Sequence, residues 1–267
     1  MLIQPILMAF LLLWPDYPGI LANPDNSTIK TRFNPPVGFH RKTQSPGSFA
    51  SYLQGLTLKP EGSQVKYYNG QEKKNQVYAA VINMDIGQKD LQHCADAIIR
   101  LKAEYLYTRG EFDKISFPLT NGFEMKYAKW MAGFRLVVNG NQTWWKKTAT
   151  PSNSYASFRA YLDIVFGYAG TISLSRSLHE KNIRDICIGD IFITGGSPGH
   201  AIIVVDLVEN NSGKKLFLLA QSYMPAQDIH ILQNYSHYGS GPWYAASPDG
   251  ILETPEWRFH TSQLKTW

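Results

Sequence analysis

The stretch GDIFITGGSPGHAIIVVD, Gly189 to Asp206, sets one histidine between a glycine-rich loop and a run of β-branched residues. DIFIT has the composition of a strand, Gly195-Gly196-Ser197-Pro198-Gly199 that of a loop, and AIIVVDLV that of a second strand. A core strand gains nothing from an imidazole at its first position, whereas a base carried on a rigid strand belongs there. The competing interpretation makes His200 a residue that caps the loop through hydrogen bonds.

Asn210-Asn211-Ser212-Gly213 then reads as a turn and KLFLLAQSY as the returning strand. A turn centred near Asn211 and Ser212 makes Val205 face about Leu216, which sets His200 opposite Gln221 on the same face. A slip of one residue would put Ala220 or Ser222 there instead. Gln221 at that place can bond one imidazole nitrogen, the orienting task in a nucleophile–base–orienter set.

Upstream, Leu91, Cys94, Ile98, Leu101 and Tyr105 recur at spacings of three and four and fall on one helical face. Asp90 is the expected N-cap, and Gly110 ends the pattern. Ser197 has the Gly-x-Ser-x-Gly spacing, but its loop joins two expected strands and is not a strand-to-helix elbow, so Cys94 is the candidate nucleophile. The helix dipole and a nearby His200 would lower its thiol pKa. The ordinary alternative is that Cys94, in the apolar stripe, is simply a small core hydrophobe.

Elsewhere a helix is expected over residues 48–56 with Ser48 as N-cap, and strands over 64–68 and 77–84 around the turn Asn69-Gly70. Further helices are expected near 124–134 and 155–168, with Asn139-Gly140-Asn141 turning between two short strands. GPWYAA and TPEWRF read as packing around the sheet edge. Helices followed by antiparallel strands indicate a single α+β domain over 47–267, preceded by an extended lead-in at 23–46.

Residues 1–22 read as a signal peptide. PILMAFLLLW is too short to span a bilayer and Gly19-Ile20-Leu21-Ala22 offers a cleavage site, although the first basic residue is Lys30. The expected location is secreted or periplasmic, with no stable membrane span once the signal is removed. With 267 residues, 18% of them charged and 13% aromatic, the chain is an ordered globular protein. The net charge of +5 is not concentrated in any run, and no zinc-finger spacing, basic helix or stacking motif indicates nucleic acid. Two cysteines, Cys94 and Cys187, exclude a disulfide-stapled fold. No His-x-x-x-His or bracketing carboxylate pair points to a metal site, His230 and His237 being isolated, and no cofactor is indicated.

The order of a cysteine, then a histidine opening a strand, then a polar residue on the next strand resembles the papain-like cysteine hydrolases of the NlpC and CHAP types. CADAIIRL, GDIFI and GHAIIVVD are the matching pieces, and they cover about a third of the chain. The interval between Cys94 and His200 is longer than in those hydrolases, so the two intervening helices would be an insertion between the nucleophile helix and the sheet. More of the chain, from about residue 34 onward, is similar to an uncharacterised bacterial domain-of-unknown-function family. SFASYLQGL, LQHCADAIIRLKAEYLY, YAGTISL, LLAQSYMPAQDIHIL and TPEW carry that likeness.

The hydrolase resemblance implies an exported thiol-dependent amide or peptide hydrolase acting on cell-wall peptides. Cys94 would be the nucleophile, His200 the base and Gln221 the orienter, with the Cys94 amide and the Gln92 side chain steadying the oxyanion. The loop ending at Gly199 and the segment SYMPAQ, with Ser222 and Tyr223, would wall the cleft. The rival is a non-catalytic envelope protein that binds glycan or peptide, with Trp130, Trp144, Trp145, Trp243 and Trp257 as stacking platforms. A third option is a structural envelope protein without a cleft.

Overall fold

A computed structural model describes residues 27–236, 239–247 and 250–267; the expected signal peptide lies outside them. In chain order, α1 (Ile29–Arg32) and β1 (Phe39–His40) precede α2 (Phe49–Gln54), whose N-cap Ser48 accepts from the Ser51 amide. β2 (Tyr78–Val81) leads to α3 (Cys94–Thr108). Next come β3 (Ser116–Pro118), β4 (Glu124–Lys126), α4 (Tyr127–Met131), β5 (Phe134–Asn139) and β6 (Gln142–Lys147). α5 (Tyr155–Tyr168), α6 (Thr171–Ser177) and β7 (His179–Glu180) follow. β8 (Ile191–Thr194), β9 (His200–Asn210), β10 (Lys215–Gln221) and β11 (His230–Leu232) build the centre of the main sheet. β12 (Gly239–Ser240), β13 (Trp243–Tyr244), β14 (Ile251–Glu253), β15 (Arg258–His260) and β16 (Leu264–Thr266) complete the chain.

The expected α+β class holds: ten strands form one sheet in the order β12-β13-β10-β9-β8-β16-β7, with β1 beside β9, β11 beside β10 and β2 beside β11. The central pairings are antiparallel. Every described residue of β9 from His200 to Val208 is buried, because both faces of the sheet are covered. Ala201, Ile203, Val205 and Val208 face the helices. Ile202, Val204 and Leu207 face a second core with Phe192, Phe217 and Phe259. Among the described residues no helix is long and apolar enough to cross a membrane.

Three expectations need correction. Residues 64–68 form only isolated bridges, Lys66 with Glu72 and Tyr67 with Gln227, while the neighbouring β2 pairs with the distant β11 rather than closing a hairpin. Residues 124–126 are strand, so the helix expected from 124 begins at Tyr127. The lead-in is not merely extended: Ile29 of α1 is fully buried in the core and β1 pairs with the end of β9.

The register of the β9–β10 hairpin also differs, in two steps. Leu216 faces Val208, not Val205, because the strands run on into the turn. There Asn210 Oδ1 accepts from the Ser212 and Lys214 amides and Gly213 adopts φ +81°, a conformation that glycine takes without a Cβ penalty. That register alone would put Gln221 opposite Ile203, on the face away from His200. The register then shifts: Leu218 faces Asp206, but Leu219 faces Val204. Val205 is thus an extra residue, a bulge that changes the side-chain parity of everything after it. The ladder beyond Ala220, which faces Ile203, sets Gln221 opposite Ile202 and diagonal to His200, on one face.

Asp206 sits at this bulge with its side chain fully buried. Its Oδ1 accepts from Gln54 Nε2 at 2.6 Å and from the Leu207 amide at 2.9 Å. Arg41 brings Nε and Nη2 to Oδ2 at 2.9 and 2.8 Å. A carboxylate removed from water needs this full set of partners, and removing it strands a buried amide and a largely buried guanidinium. Asp206→Ala is therefore expected to destabilise the fold by about 3 kcal/mol, lowering Tm by roughly 6–12 °C for a domain of this size. A calorimetric Tm equal to the parent protein's would contradict the assignment.

Candidate functional site

The chain enters α3 through residues tied down on both sides. Asp90 is not the N-cap; its Oδ1 accepts from the Ala226 amide at 2.7 Å and bonds His93 Nε2 at 2.9 Å. The N-cap is His93, with extended backbone, and Asp96 Oδ2 accepts its amide proton at 3.0 Å. Cys94 is consequently the first residue of the helix, where backbone N–H groups have no partners within the helix.

His200 is the first residue of β9 and pairs with Thr194 of β8. The residue before it must be glycine, since a Cβ on Gly199 would lie 2.5 Å from the Gly196 carbonyl and from Thr171 Oγ1. The imidazole Nε2 stands 2.8 Å from Gln221 Oε1. Around the ring are Tyr223, Trp257 and Phe259, with centroids at 4.8, 5.4 and 5.9 Å. This aromatic cage explains the protonation state: burial pushes the His200 pKa down to about 4, with the Lys73 charge acting the same way and the Gln221 bond opposing. His200 is therefore neutral at pH 7.

Cys94 and His200 line the same cavity of about 310 Å³. Ser197, Pro198 and Gly199 form one wall, Tyr223 and Met224 another, and Phe166 and Trp257 add apolar surface. The backbone N–H of Ala201, the residue directly after His200, favours the ionised form of the Cys94 thiol. The amides of Cys94 and Ala95 also favour the ionised form, yet burial outweighs all three and pushes the thiol up to about 11, with Asp96 adding to the rise. The expected lowering of the thiol pKa is thus reversed, because loss of solvent exceeds what the helix terminus supplies. Asp96 is itself pushed up to about 8 by burial, so it is largely protonated at neutral pH.

The other residues expected to touch substrate separate into two groups. Gly199 and Tyr223 line the cavity; Gln92, Ser222 and Trp243 do not. Gln92 is buried, its Oε1 accepting from Arg100 Nη1 at 3.2 Å. The Ser222 hydroxyl is buried within 2.8 Å of the Gln227 carbonyl and 3.1 Å of the Gln92 carbonyl. Trp243 and Trp130 are core residues whose indole N–H groups donate to the Asn34 carbonyl and to Ser157 Oγ. Their rings are not available as platforms. Asp190 of the Gly-Asp pair has a structural task, accepting from the Cys187 amide and from Lys181. A larger hollow of about 430 Å³, between residues 235–236 and 251–258, has no thiol or imidazole among the described residues that line it.

Glu256 and Lys73, which no spacing singles out, and His230, which reads as isolated in the sequence, complete the surroundings. Glu256 accepts from Gln221 Nε2 at 2.6 Å, and Lys73 reaches Glu256 Oε1 at 2.5 Å and Gln227 Oε1 at 3.0 Å. His230 Nε2 lies 3.4 Å from the same Gln221 amide nitrogen. They arrive from three distant segments, and only the pairing of β10 with β11 offers a local hint for His230.

The family model described as domain of unknown function (4846) matches residues 29–266, so the chain belongs to that family. No curated protein and no solved structure matches it.

Both cysteines are free, and Cys187 is exposed, so thiol chemistry at Cys94 is measured in a Cys187→Ser background. Iodoacetamide alkylation of Cys94 is expected to climb about tenfold per pH unit from pH 7 to 10, because only the thiolate attacks. A rate that levels off below pH 8 would contradict a thiol held protonated by burial.

Proposed function

We propose that this member of the family is a thiol-dependent amide or peptide hydrolase, with Cys94 as nucleophile, His200 as base and Gln221 as orienter. The observation that carries the reading is the convergence on one cavity. The Ala201 amide favours the ionised form of a cysteine at the tip of α3, and the imidazole of His200 is held through Nε2 by Gln221. A thiol, an imidazole and its orienting amide also share one cleft in papain-like hydrolases, and this likeness supports the reading.

With Nε2 engaged by Gln221, Nδ1 of neutral His200 is the nitrogen that can receive a proton. Cys94 Sγ attacks the substrate carbonyl carbon while its proton passes to Nδ1, so thiol and imidazole begin uncharged rather than as an ion pair. The carbonyl π electrons move to oxygen, where the unpartnered amides at the start of α3 offer hydrogen bonds. Collapse breaks the C–N bond, the amine leaves with the proton from His200, and Cys94 remains as a thioester. Water then attacks the thioester with His200 again as base, releasing the acid and restoring the thiol. The burial that raises the thiol pKa also strengthens each of these electrostatic contacts.

A peptide segment fits the cavity chemistry: apolar walls at Phe166, Pro198 and Trp257 accept side chains, and exposed Met224 stands at the rim. Cell-wall peptides are the substrates to try first, in keeping with export. One observation favours a binding-only reading, namely that Cys94 is 8% exposed and its thiol is pushed up to about 11.

The two readings part on Cys94→Ala. For a hydrolase, the variant folds normally and its cleavage of a cell-wall peptide panel, followed by mass spectrometry, falls by about 10³-fold or more. Equal turnover by the variant, or peptide binding without turnover by the parent protein, would overturn the enzyme reading.

A further inference from the structure

The amide of Gln221 is flanked by three groups whose hydrogen-bonding character is fixed. Glu256 Oε2, 2.6 Å from Gln221 Nε2, belongs to a carboxylate paired with the Lys73 ammonium at 2.5 Å. An ionised carboxylate only accepts, so the Gln221 atom facing it is the NH2 group. His230 Nδ1 lies 2.9 Å from the Asp228 carbonyl and must donate to it, which leaves His230 Nε2 as an acceptor. That acceptor is the second group beside the Gln221 NH2, at 3.4 Å. Both neighbours therefore demand the same amide orientation, and a flipped amide would oppose oxygen to carboxylate and oxygen to a nitrogen lone pair.

This orientation has a consequence at the third neighbour. It turns Oε1 of Gln221 toward His200 Nε2 at 2.8 Å, and a carbonyl oxygen only accepts. Nε2 must then carry the hydrogen, and a neutral imidazole has only one. We propose that Glu256, paired with Lys73, is a positioning residue that fixes the Gln221 amide and through it the Nε2–H tautomer of His200, leaving the Nδ1 lone pair open. That this lone pair serves as a base rests on the hydrolase reading; the tautomer itself does not.

The geometry favours Glu256 over His230 as the main determinant. Its contact is 0.8 Å shorter (3.4 minus 2.6 Å) and charge-assisted, and such bonds are about twice as strong as neutral ones. Lys73 is 5% exposed and has Glu256 as its ion-pair partner, so the pair stays together in the folded protein. The segment that carries Glu256 also supplies Trp257 against the His200 ring, which couples ring packing to tautomer choice.

The test is the tautomer, read by long-range ¹H–¹⁵N correlation of ¹⁵N-histidine-labelled protein, with the His200 signals assigned by their loss in His200→Asn. The parent protein is expected to show a protonated Nε2 and a lone pair on Nδ1. In Glu256→Gln, which keeps the shape, Lys73 claims the one remaining oxygen and the new NH2 faces Gln221. The Gln221 amide then flips, and His200 is expected to move mainly to the Nδ1–H form. Glu256→Ala leaves only the 3.4 Å neighbour and is expected to populate both forms. Circular dichroism establishes which variants fold, and the tautomer is read in those. An Nε2–H form that persists unchanged in the folded variants, or an Nδ1–H form in the parent protein, would overturn the proposal. Loss of the hydrolase reading through Cys94→Ala would leave this tautomer result standing, so the two fail separately.

Discussion

The site depends on one extra residue in β9. Val205 has no partner in β10, and this single offset decides whether His200 shares a face of the sheet with Gln221. Without it, His200 would project toward the helices, on the face of Ala220 and away from Gln221. The bulge is held by Asp206, whose buried carboxylate gathers Arg41 from the N-terminal segment, Gln54 from α2 and the Leu207 amide. A residue pair about 20 positions apart is thus aligned by contacts made at the other end of the same strand, and a stability device and the geometry of the candidate site share one cause.

Burial then sets the chemistry. The same packing that buries both side chains keeps the Cys94 thiol protonated and the His200 imidazole neutral, pushing the two pKa values apart rather than together. A pre-formed thiolate–imidazolium pair is therefore not the resting state, and in the proposed hydrolysis the proton moves during the attack. Holding the neutral imidazole in one tautomer matters more in such a site, because only one of its nitrogens has a lone pair to offer. The polar groups behind the ring, Gln221, Glu256, Lys73 and His230, supply that constraint through a network in which the donor and acceptor assignments agree.

Much of this was legible in the residues. The glycine-rich loop, the β-branched run of β9 and the apolar spacing of α3 placed the central elements correctly, because burial of periodic apolar faces fixes them locally. Gln221 was found as the partner of His200, but through a register that the structure replaces with a different turn centre and a compensating bulge. The turn centre was set by Asn210 and Gly213 and the bulge by Asp206, whose partners Arg41 and Gln54 lie more than 150 residues away in the chain. Such distant polar partners leave no periodic trace, which is also why Glu256 and Lys73 escaped notice. The helix start shifted from Asp90 to His93 for a similar reason, since Asp90 is drawn instead to the Ala226 amide. Burial of Cys94 could not be weighed from spacing, so the dipole was expected to prevail.

The most direct measurement is the mass of each cysteine-containing peptide after the protein is incubated with a peptide thioester or activated ester and quenched in acid. A hydroxylamine-labile acyl group on Cys94, absent from exposed Cys187 and lost in His200→Asn, is the expected result. An adduct confined to Cys187, or acylation of Cys94 that is indifferent to His200, would contradict the central claim that the two residues act together.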